Sequence, residues 1–388
     1  MHAGSKWAVA GVGGVVLLLG AAVAGLAAWA GSDDFRSRAQ QAATTALGVP
    51  VQLGDIDVTF WPALAVAVRD VRIRTRPALT LAQIDATPVW SSLLLGKPAL
   101  DALVVRHAVL PQQGILALVA AAQKQAPRAP AASGGSMPTL PRRIELDHVT
   151  WVDAAGQKLT VDAEVAFDGE PLPQRATLEV IDGRFLGAKA RLDREDDAWQ
   201  LRADIGGGTI TGPLRLQAQR SGGWKLSGSM ATDKVEVAAL TAPSRSLTGK
   251  LEAHTSLQAD FRDAGGVLDA LRTQTRFTVR RAVLHGLDLA AAVHTLGMSR
   301  SGETAFDTLT GQVGTQGKTV QLSNLVANSG SLSATGQVTL SPERALSGRV
   351  HVTLAGGALG VPVNVGGTMD APTATPAGLT LPSLFGSK

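Results

Sequence analysis

Residues 159–167 read LTVDAEVAF, and this stretch decides the fold class of the chain. Apolar side chains at Leu159, Val161 and Val165 alternate with the polar side chains of Asp162 and Glu164. Consecutive residues of a β-strand point to opposite faces of a sheet, so a two-residue period is typical of a strand with one buried and one solvated face. The stretch therefore predicts an amphipathic β-strand.

The same alternation recurs along most of the chain. It is found in the segments 71–74, 103–106, 214–218, 251–261, 332–340 and 346–354. Turn sequences such as Asp182-Gly183 and Gly206-Gly207-Gly208 separate the alternating segments. The pattern predicts a mostly β protein of about fifteen strands. Helical patterns are limited to short segments at 35–47, 89–95, 112–125, 266–272 and 287–296.

A sheet with one apolar face can bury that face in two ways. It can pack against a second sheet as a β-sandwich, or it can curl upon itself around an apolar interior. Hydrophobic residues make up 45% of the chain but aromatic residues only 4%, so Leu, Val and Ala supply most of the apolar surface. This composition suits a smooth aliphatic lining, although the alternation alone does not separate the two architectures.

Composition also excludes several classes of protein. The chain has no Cys and no Tyr, which excludes a disulfide-stapled scaffold, a zinc site built on thiolates and a thiol or tyrosine enzyme. A net charge of +4 over 388 residues is a thin charge density. We therefore expect anionic lipid or an envelope polymer rather than nucleic acid as the partner of this basic chain.

One segment is long and apolar enough to cross a membrane. Residues 8–30 are uncharged over 23 positions, and a hydrocarbon core requires about 20. The alternative is a cleaved signal peptide ending at Ala28-Trp29-Ala30, but its apolar region would exceed the usual length of about 7 to 15 residues. We predict an uncleaved anchor, with residues 1–31 forming a cytoplasmic tail and the membrane span. The predicted anchor residues are Trp7, Leu17, Leu18, Leu19 and Trp29.

No motif in the sequence predicts a catalytic, cofactor-binding or metal-binding site. Residues 311–319 resemble a phosphate-binding loop only superficially, because a strand pattern rather than a helix follows them. The acidic run Asp193–Asp197 lacks the spaced ligands of a calcium loop, and the seven His are scattered. No Gly-x-Ser-x-Gly nucleophile motif is present. We therefore predict no catalytic, cofactor-binding or metal-binding residues, and no enzymatic activity.

Composition and the period of the apolar residues divide the chain after the predicted anchor, residues 32–388, into four regions. Residues 32–124 mix helix and strand patterns, and residues 125–141 form a linker rich in Pro, Ala, Ser and Gly. Residues 142–370 are β-rich throughout. Residues 371–388 are predicted to be a loosely ordered tail, because Pro372, Pro376 and Pro382 interrupt the strand pattern.

The order of motifs after the anchor is similar to the N-terminal region of the AsmA family. A predicted helix leads to the turn Leu47-Gly48-Val49-Pro50-Val51, in which Val49 stands where that family usually has Arg. Pro62, Asp70-Val71 and the segment Leu93-Leu94-Leu95-Gly96 follow in the family's order, and Leu100, Leu103, Val105 and Pro111 continue the last motif loosely.

Residues from about 280 to 370 resemble the C-terminal module of the same family. The matching segments are Leu284–Leu289, Phe306–Gly311, Ser333–Gly336, Val361–Val363, Gly367-Thr368 and Pro372. Between them, residues 145–265 are similar only in their strand character. The resemblance therefore covers the two ends of the chain.

The resemblance implies a single-pass inner-membrane protein whose bulk lies in the periplasm. The implied fold is a transmembrane helix followed by an elongated, curled, groove-like antiparallel sheet with a few short helices. The implied function is non-enzymatic handling or transfer of phospholipid, or of another envelope lipid, for outer-membrane assembly, with an envelope protein partner or an oligomer. The alternative is a periplasmic structural scaffold or assembly factor with a closed β-sandwich and no lipid channel. The predicted lipid-lining residues are Val161, Val165, Leu214, Leu216, Leu257, Leu332, Val338, Leu340, Val350 and Val352.

Overall fold

The computed structural model describes residues 33–59, 65–89, 99–125, 141–170, 172–220, 222–242, 244–262, 266–294, 302–317, 319–354, 361–368 and 371–377. As the alternating pattern predicts, these residues are mostly β-strand with a few short helices. The helices are α1 (Asp33–Leu47), α2 (Gln112–Gln125), α3 (Val237–Thr241), α4 (Val267–Ala270) and α5 (Leu289–His294).

Twenty strands lie within the described ranges, more than the fifteen or so predicted. The strands of the first half are β1 (Val51–Gln52), β2 (Ile56–Thr59), β3 (Ala65–Ile73), β4 (Leu79–Pro88), β5 (Leu100–Pro111), β6 (Arg143–Val152), β7 (Lys158–Ala166), β8 (Arg175–Gly183), β9 (Lys189–Glu195) and β10 (Ala198–Ile205). Those of the second half are β11 (Gly208–Ala218), β12 (Trp224–Glu236), β13 (Leu247–Phe261), β14 (Arg272–His285), β15 (Glu303–Gln316), β16 (Thr319–Asn328), β17 (Leu332–Leu340), β18 (Leu346–Leu354), β19 (Val361–Thr368) and β20 (Ala371–Pro376).

The chain divides into two compact units, and the boundary falls within β10. Among the described residues, the N-terminal unit extends to Trp199 and includes Arg262, and the others form the C-terminal unit. In the N-terminal unit β1 and β2 pair along β3, and β3, β4 and β5 follow as antiparallel neighbours. The strands β6 to β9 are likewise antiparallel.

One pair departs from the predicted antiparallel sheet. β5 and β6 pair in parallel, with Leu103 opposite Ile144 and Val105 opposite Leu146. Parallel neighbours need a crossover connection of a dozen or more residues, and α2 lies in the segment that joins these two strands. The sequence correctly predicts the helix at 112–125, but its consequence for strand direction is a structural finding.

The core of the N-terminal unit lies between two helices and the sheet. Ala39, Ala43 and Leu47 of α1 and Leu118 of α2 are buried against the apolar face of β1 to β5. Apolar residues of α1 recur at helical spacing, so its apolar face can cover the sheet. The sheet residues buried in this core include Val68, Val71, Ile73, Leu81, Ile84, Leu103 and Val105.

In the C-terminal unit the strands β11 to β20 pair in chain order, each antiparallel to the next. At one end of this sheet, Leu287, two residues before α5, and Leu289, its first residue, join Phe306, Val352 and Val363 in a buried cluster. Thr304, itself buried, fixes α5 there. Its hydroxyl accepts a hydrogen bond from the Leu289 N–H at 2.9 Å and donates one to the Leu287 carbonyl at 2.8 Å.

Several strands carry β-bulges that the two-residue period does not predict. Asp70, His107, His148, Lys234, Arg281 and Asn324 adopt positive φ angles inside strands. Strand pairing shifts register near His148, Lys234, Arg281 and Asn324. A bulge bends its strand and increases the local right-handed twist, so these residues curl the sheet of each unit.

The structure differs from the prediction at the C-terminal tail. Residues 371–376 form β20 and pair with β19, although the prolines predicted a loosely ordered segment. Within the described ranges β20 pairs with β19 alone, and an edge strand tolerates proline because one side of its backbone needs no N–H donors.

Several predicted segments lie wholly or mostly outside the described residues. These are the tail and membrane span of residues 1–31, with Trp7, Leu17, Leu18, Leu19 and Trp29, the helix at 89–95, and the linker at 125–141. Within the part that the structure covers, no helix combines the length and the apolar character needed to cross a bilayer.

Two glycines show how closely the strands of the C-terminal unit approach one another. A Cβ atom on Gly348 would overlap the Gln337 carbonyl oxygen and lie 2.8 Å from the Val338 Cα, and Gly336 meets β18 in the same way. We expect Gly348→Ala to lower the free energy of unfolding by about 1–3 kcal/mol, because β17 must move to make room. Urea unfolding followed by circular dichroism measures this change.

Gly314→Ala on β15 is the matched control for Gly348→Ala. Nothing lies within 4 Å of a Cβ on Gly314, so its replacement is expected to leave stability unchanged or slightly higher. Equal effects of the two substitutions would contradict the close approach of β17 and β18.

Candidate functional site

A continuous apolar surface runs across the C-terminal unit on one face of its sheet. Residues paired across neighbouring strands project to the same face, so strand register identifies the rows of this surface. The first row is Leu214, Gly228, Leu257, Thr273, Thr315, Val320, Leu340 and Leu346. The second row is Met230, Thr255, Thr275, Val313, Leu322, Val338, Gly348 and Val365. We call these two rows the C-terminal apolar face.

The threonines in these rows do not make the surface polar. The hydroxyls of Thr273 and Thr315 lie 2.7 Å apart, and those of Thr255 and Thr275 lie 2.9 Å apart. Each pair makes one hydrogen bond across neighbouring strands. One hydroxyl hydrogen of each pair is thereby satisfied within the sheet, which makes the rows less polar than isolated threonines would.

The apolar face is more shielded than the opposite face of the same strands. On β17, Val338 is half-buried whereas Gln337 is exposed, and on β14, Thr273 is half-buried whereas Arg272 is exposed. A flat single layer would expose both faces alike. All strands in the described part of the chain belong to one sheet, so no second sheet among these residues covers the face. The partial burial of its side chains therefore indicates that the sheet curls toward this face.

One end of this face is filled and the rest is open. Near α5, Leu332, Ala334 and Val352 belong to the buried core, with Val352 0% exposed. Farther along the same strands, Val338, Leu340 and Leu346 are only half-buried. The open part is thus a trough lined by Leu and Val side chains and by paired threonines.

The structure places the eight predicted lining residues of the C-terminal unit on one face. Leu214, Leu257 and Leu340 lie in the first row and Val338 in the second. Leu216 and Val350 lie two residues from these rows on the same face. Leu332 and Val352 share the face but lie in the packed core rather than in the open trough.

Several residues of this trough are not among the predicted lining residues. Val313, Val320 and Leu322 lie on β15 and β16, between strands that carry predicted lining residues. A period-two pattern is interrupted near them by glycine and by the bulge at Asn324. The signal that finds them is cross-strand register, which the sequence alone does not provide.

A second apolar surface lies in the N-terminal unit. Its rows are Ile144, Val165, Ala176 and Leu192; Leu146, Ala163, Leu178 and Ala190; and Val149, Val161 and Val180. We call it the N-terminal apolar face. It continues the surface that α1 and α2 cover on β1 to β5, but Leu178 is 38% exposed. The predicted lining residues Val161 and Val165 both lie on this face.

Ion pairs occupy the opposite face of these strands. Arg143 pairs with Glu164 at 3.3 Å, and Lys189 pairs with Glu179 at 3.0 Å. Arg175 and Arg191 both contact Asp193, and their hydrogen bonds lower the pKa of its carboxyl to about 2. The N-terminal unit therefore presents one apolar face and one charged face.

No protein-family model, curated protein or solved structure matches this chain. The function is therefore inferred from the chemistry of the two apolar faces. Aliphatic side chains without functional groups can contribute contact area and exclusion of water, but no acid, base or nucleophile. Such a surface is suited to holding a hydrocarbon chain.

Proposed function

We propose that this chain is a non-enzymatic, inner-membrane-anchored periplasmic protein of the AsmA type that carries phospholipid for outer-membrane assembly. In this proposal the acyl chains lie on the C-terminal apolar face and the headgroup remains in water. The N-terminal apolar face offers a second surface of the same chemistry.

The observation that carries the proposal is the half-exposed aliphatic trough of the C-terminal unit. An acyl chain that leaves a bilayer loses about 0.8 kcal/mol for each methylene group exposed to water. Contact with Leu257, Leu322 and Leu340 would recover part of that free energy. Because these residues are only partly shielded, binding would also remove their remaining apolar area from water.

Two features of the sequence support a membrane location. The uncharged segment at 8–30 is long enough to anchor the chain in a bilayer, where acyl chains are the most abundant apolar molecules. The order of motifs near both ends of the chain resembles that of the AsmA family. Together they favour phospholipid over a soluble apolar ligand.

Site-specific photocrosslinking in cells tests the proposal on the full chain. A benzophenone amino acid is introduced at Leu257 or Val338, and phospholipids are labelled with radioactive phosphate. After irradiation the chain is purified under denaturing conditions and its covalent label is counted. We expect label at both positions.

Gln258 and Gln337 are matched controls, because each is the sequence neighbour of a test position and is exposed on the opposite face. We expect background label at these positions. Background label at all four positions would exclude lipid carriage. An anchored scaffold would then be the better explanation of the fold.

A further inference from the structure

A bulge in β6 brings two ligand-type side chains together. Neighbouring residues of a regular strand point to opposite faces, yet His148 Nδ1 lies 2.6 Å from Asp147 Oδ1. The reason is the backbone of His148, whose φ of 53° turns its side chain to the same face as Asp147. The two groups are thus placed side by side by the fold.

A third ligand group comes from the adjacent strand β7. The backbone N–H of His148 donates a hydrogen bond of 2.7 Å to Asp162 Oδ1, and the same oxygen lies 3.4 Å from His148 Nδ1. The three side-chain ligand atoms of Asp147, His148 and Asp162 all lie within 4.8 Å of one another. Ligand atoms on one tetrahedral zinc ion, at about 2.1 Å from it, are roughly 3.4 Å apart, so small side-chain rotations suffice.

A second histidine is brought to the same place by an independent bulge. His107 has a φ of 49° in β5, and its ring centroid lies 5.3 Å from that of His148. The parallel pairing of β5 with β6 sets Arg106 opposite Asp147, so the two bulges occur at the same level. His107 therefore lies beside the cluster of Asp147, His148 and Asp162, on a third strand.

The cluster is exposed to solvent and its charged side chains favour a cation. The side chains of Asp147, His148 and Asp162 are 36%, 48% and 39% exposed. Arg106 contacts the other oxygen of Asp147 at 3.5 Å but also pairs with Asp85. The carboxylates of Asp85, Asp147 and Asp162 outnumber the single guanidinium of Arg106, so the charged side chains at the site sum to a negative charge.

We propose that Asp147, His148 and Asp162, with His107 as a fourth ligand, bind a divalent first-row transition-metal ion of the zinc class. Imidazole and carboxylate are the ligand types that such ions accept in proteins. The site lies on the charged face of the N-terminal unit, away from the apolar rows. It is therefore independent of the proposed lipid function.

Titration of the full chain in detergent with Zn²⁺, after chelator treatment and with a tag free of histidine, tests the proposal. His148→Gly is the decisive variant, because glycine accepts the positive φ without strain and the bulge is kept. We expect one Zn²⁺ per chain in the native protein and at least about tenfold weaker binding in His148→Gly. Co²⁺ should give visible absorption bands that this variant loses.

His285→Ala in the C-terminal unit is the matched control, because His285 pairs with the carboxylate of Glu303 at 2.8 Å, whereas His148 lies beside two carboxylates. We expect native Zn²⁺ affinity in this variant. Equal affinity of His148→Gly and the native chain, or no saturable binding by the native chain at pH 8, would overturn the proposal. Loss of Zn²⁺ binding in His148→Gly with an unchanged unfolding midpoint would support the proposed metal site directly.

Discussion

Leu322→Arg is expected to abolish lipid capture by the C-terminal apolar face while leaving the chain folded. Leu322 lies between Val313 and Val338 in the second row and is half-buried. An acyl chain lying on this row would have to desolvate the guanidinium, and an unpaired charge in apolar surroundings costs several kcal/mol. Folding is affected less, because the long side chain can reach water from an open trough.

The measurement uses the benzophenone residue at Val338, which lies directly opposite Leu322. We expect Leu322→Arg to lower phospholipid adducts at this position at least tenfold, a loss of about 1.4 kcal/mol or more in binding free energy. The unfolding midpoint, measured in parallel, separates lost binding from lost structure.

Gln321→Arg is the control for this prediction. Gln321 is the preceding residue on β16, and its side chain is exposed on the opposite face. The same charge placed there should leave the adducts at Val338 unchanged. If both variants lost adducts equally, the effect would be one of net charge, and the apolar face would not be the binding surface.

Leu103→Ala is expected to be among the most destabilising single changes in the N-terminal unit. Leu103 is 1% exposed and is paired with Ala86 on one side and Ile144 on the other. Truncation of a fully buried leucine removes apolar contact and leaves a cavity, which costs about 2–5 kcal/mol. Because the chain has two units, the loss should appear in one transition of a urea titration rather than in both.

The control is Leu116→Ala on α2, which has the same chemistry but a 55% exposed side chain. This substitution is expected to change stability by less than about 0.5 kcal/mol. A loss at Leu116 as large as that at Leu103 would mean that α2 is packed differently. Lipid adducts at Val338 should be unaffected by either change, because that residue belongs to the other unit.

The alternating pattern was sufficient to predict the strands and the common face of the lining residues. Within β17, for example, Leu332, Val338 and Leu340 have the same parity, and no bulge interrupts the strand. Parity alone therefore places them together. It does not distinguish the open trough from the packed core, because both are apolar, and Leu332 lies in the core.

The parallel strand pair and the β-bulges depend on contacts between distant parts of the chain, so the local sequence pattern did not predict them. The parallel pairing of β5 with β6 depends on the crossover through α2, which leaves no local signal in either strand. Bulges shift the period by one residue, so segments such as the one around His148 no longer read as strict alternation.

The sequence alone did not predict the metal-ligand cluster, because its residues come from three different strands. His107 and Asp147 are brought together only by the register of two parallel strands. Asp147 and His148 are adjacent, but adjacency in a strand normally separates side chains. Knowledge of the bulge is required before the pair can be recognised as ligands.

The neighbour-to-neighbour pairing of strands has a consequence for how the protein reaches its native state. From β11 to β20 each strand joins the one just before it, so contacts are local in sequence and loop closure is inexpensive. This half can assemble by successive hairpins as the polypeptide emerges, with no wait for distant partners. The β5–β6 junction differs, because 31 residues separate Pro111 from Arg143. Because closure entropy grows with loop length, we expect this junction to form later than the hairpins and to leave its strand edges unpaired for longer.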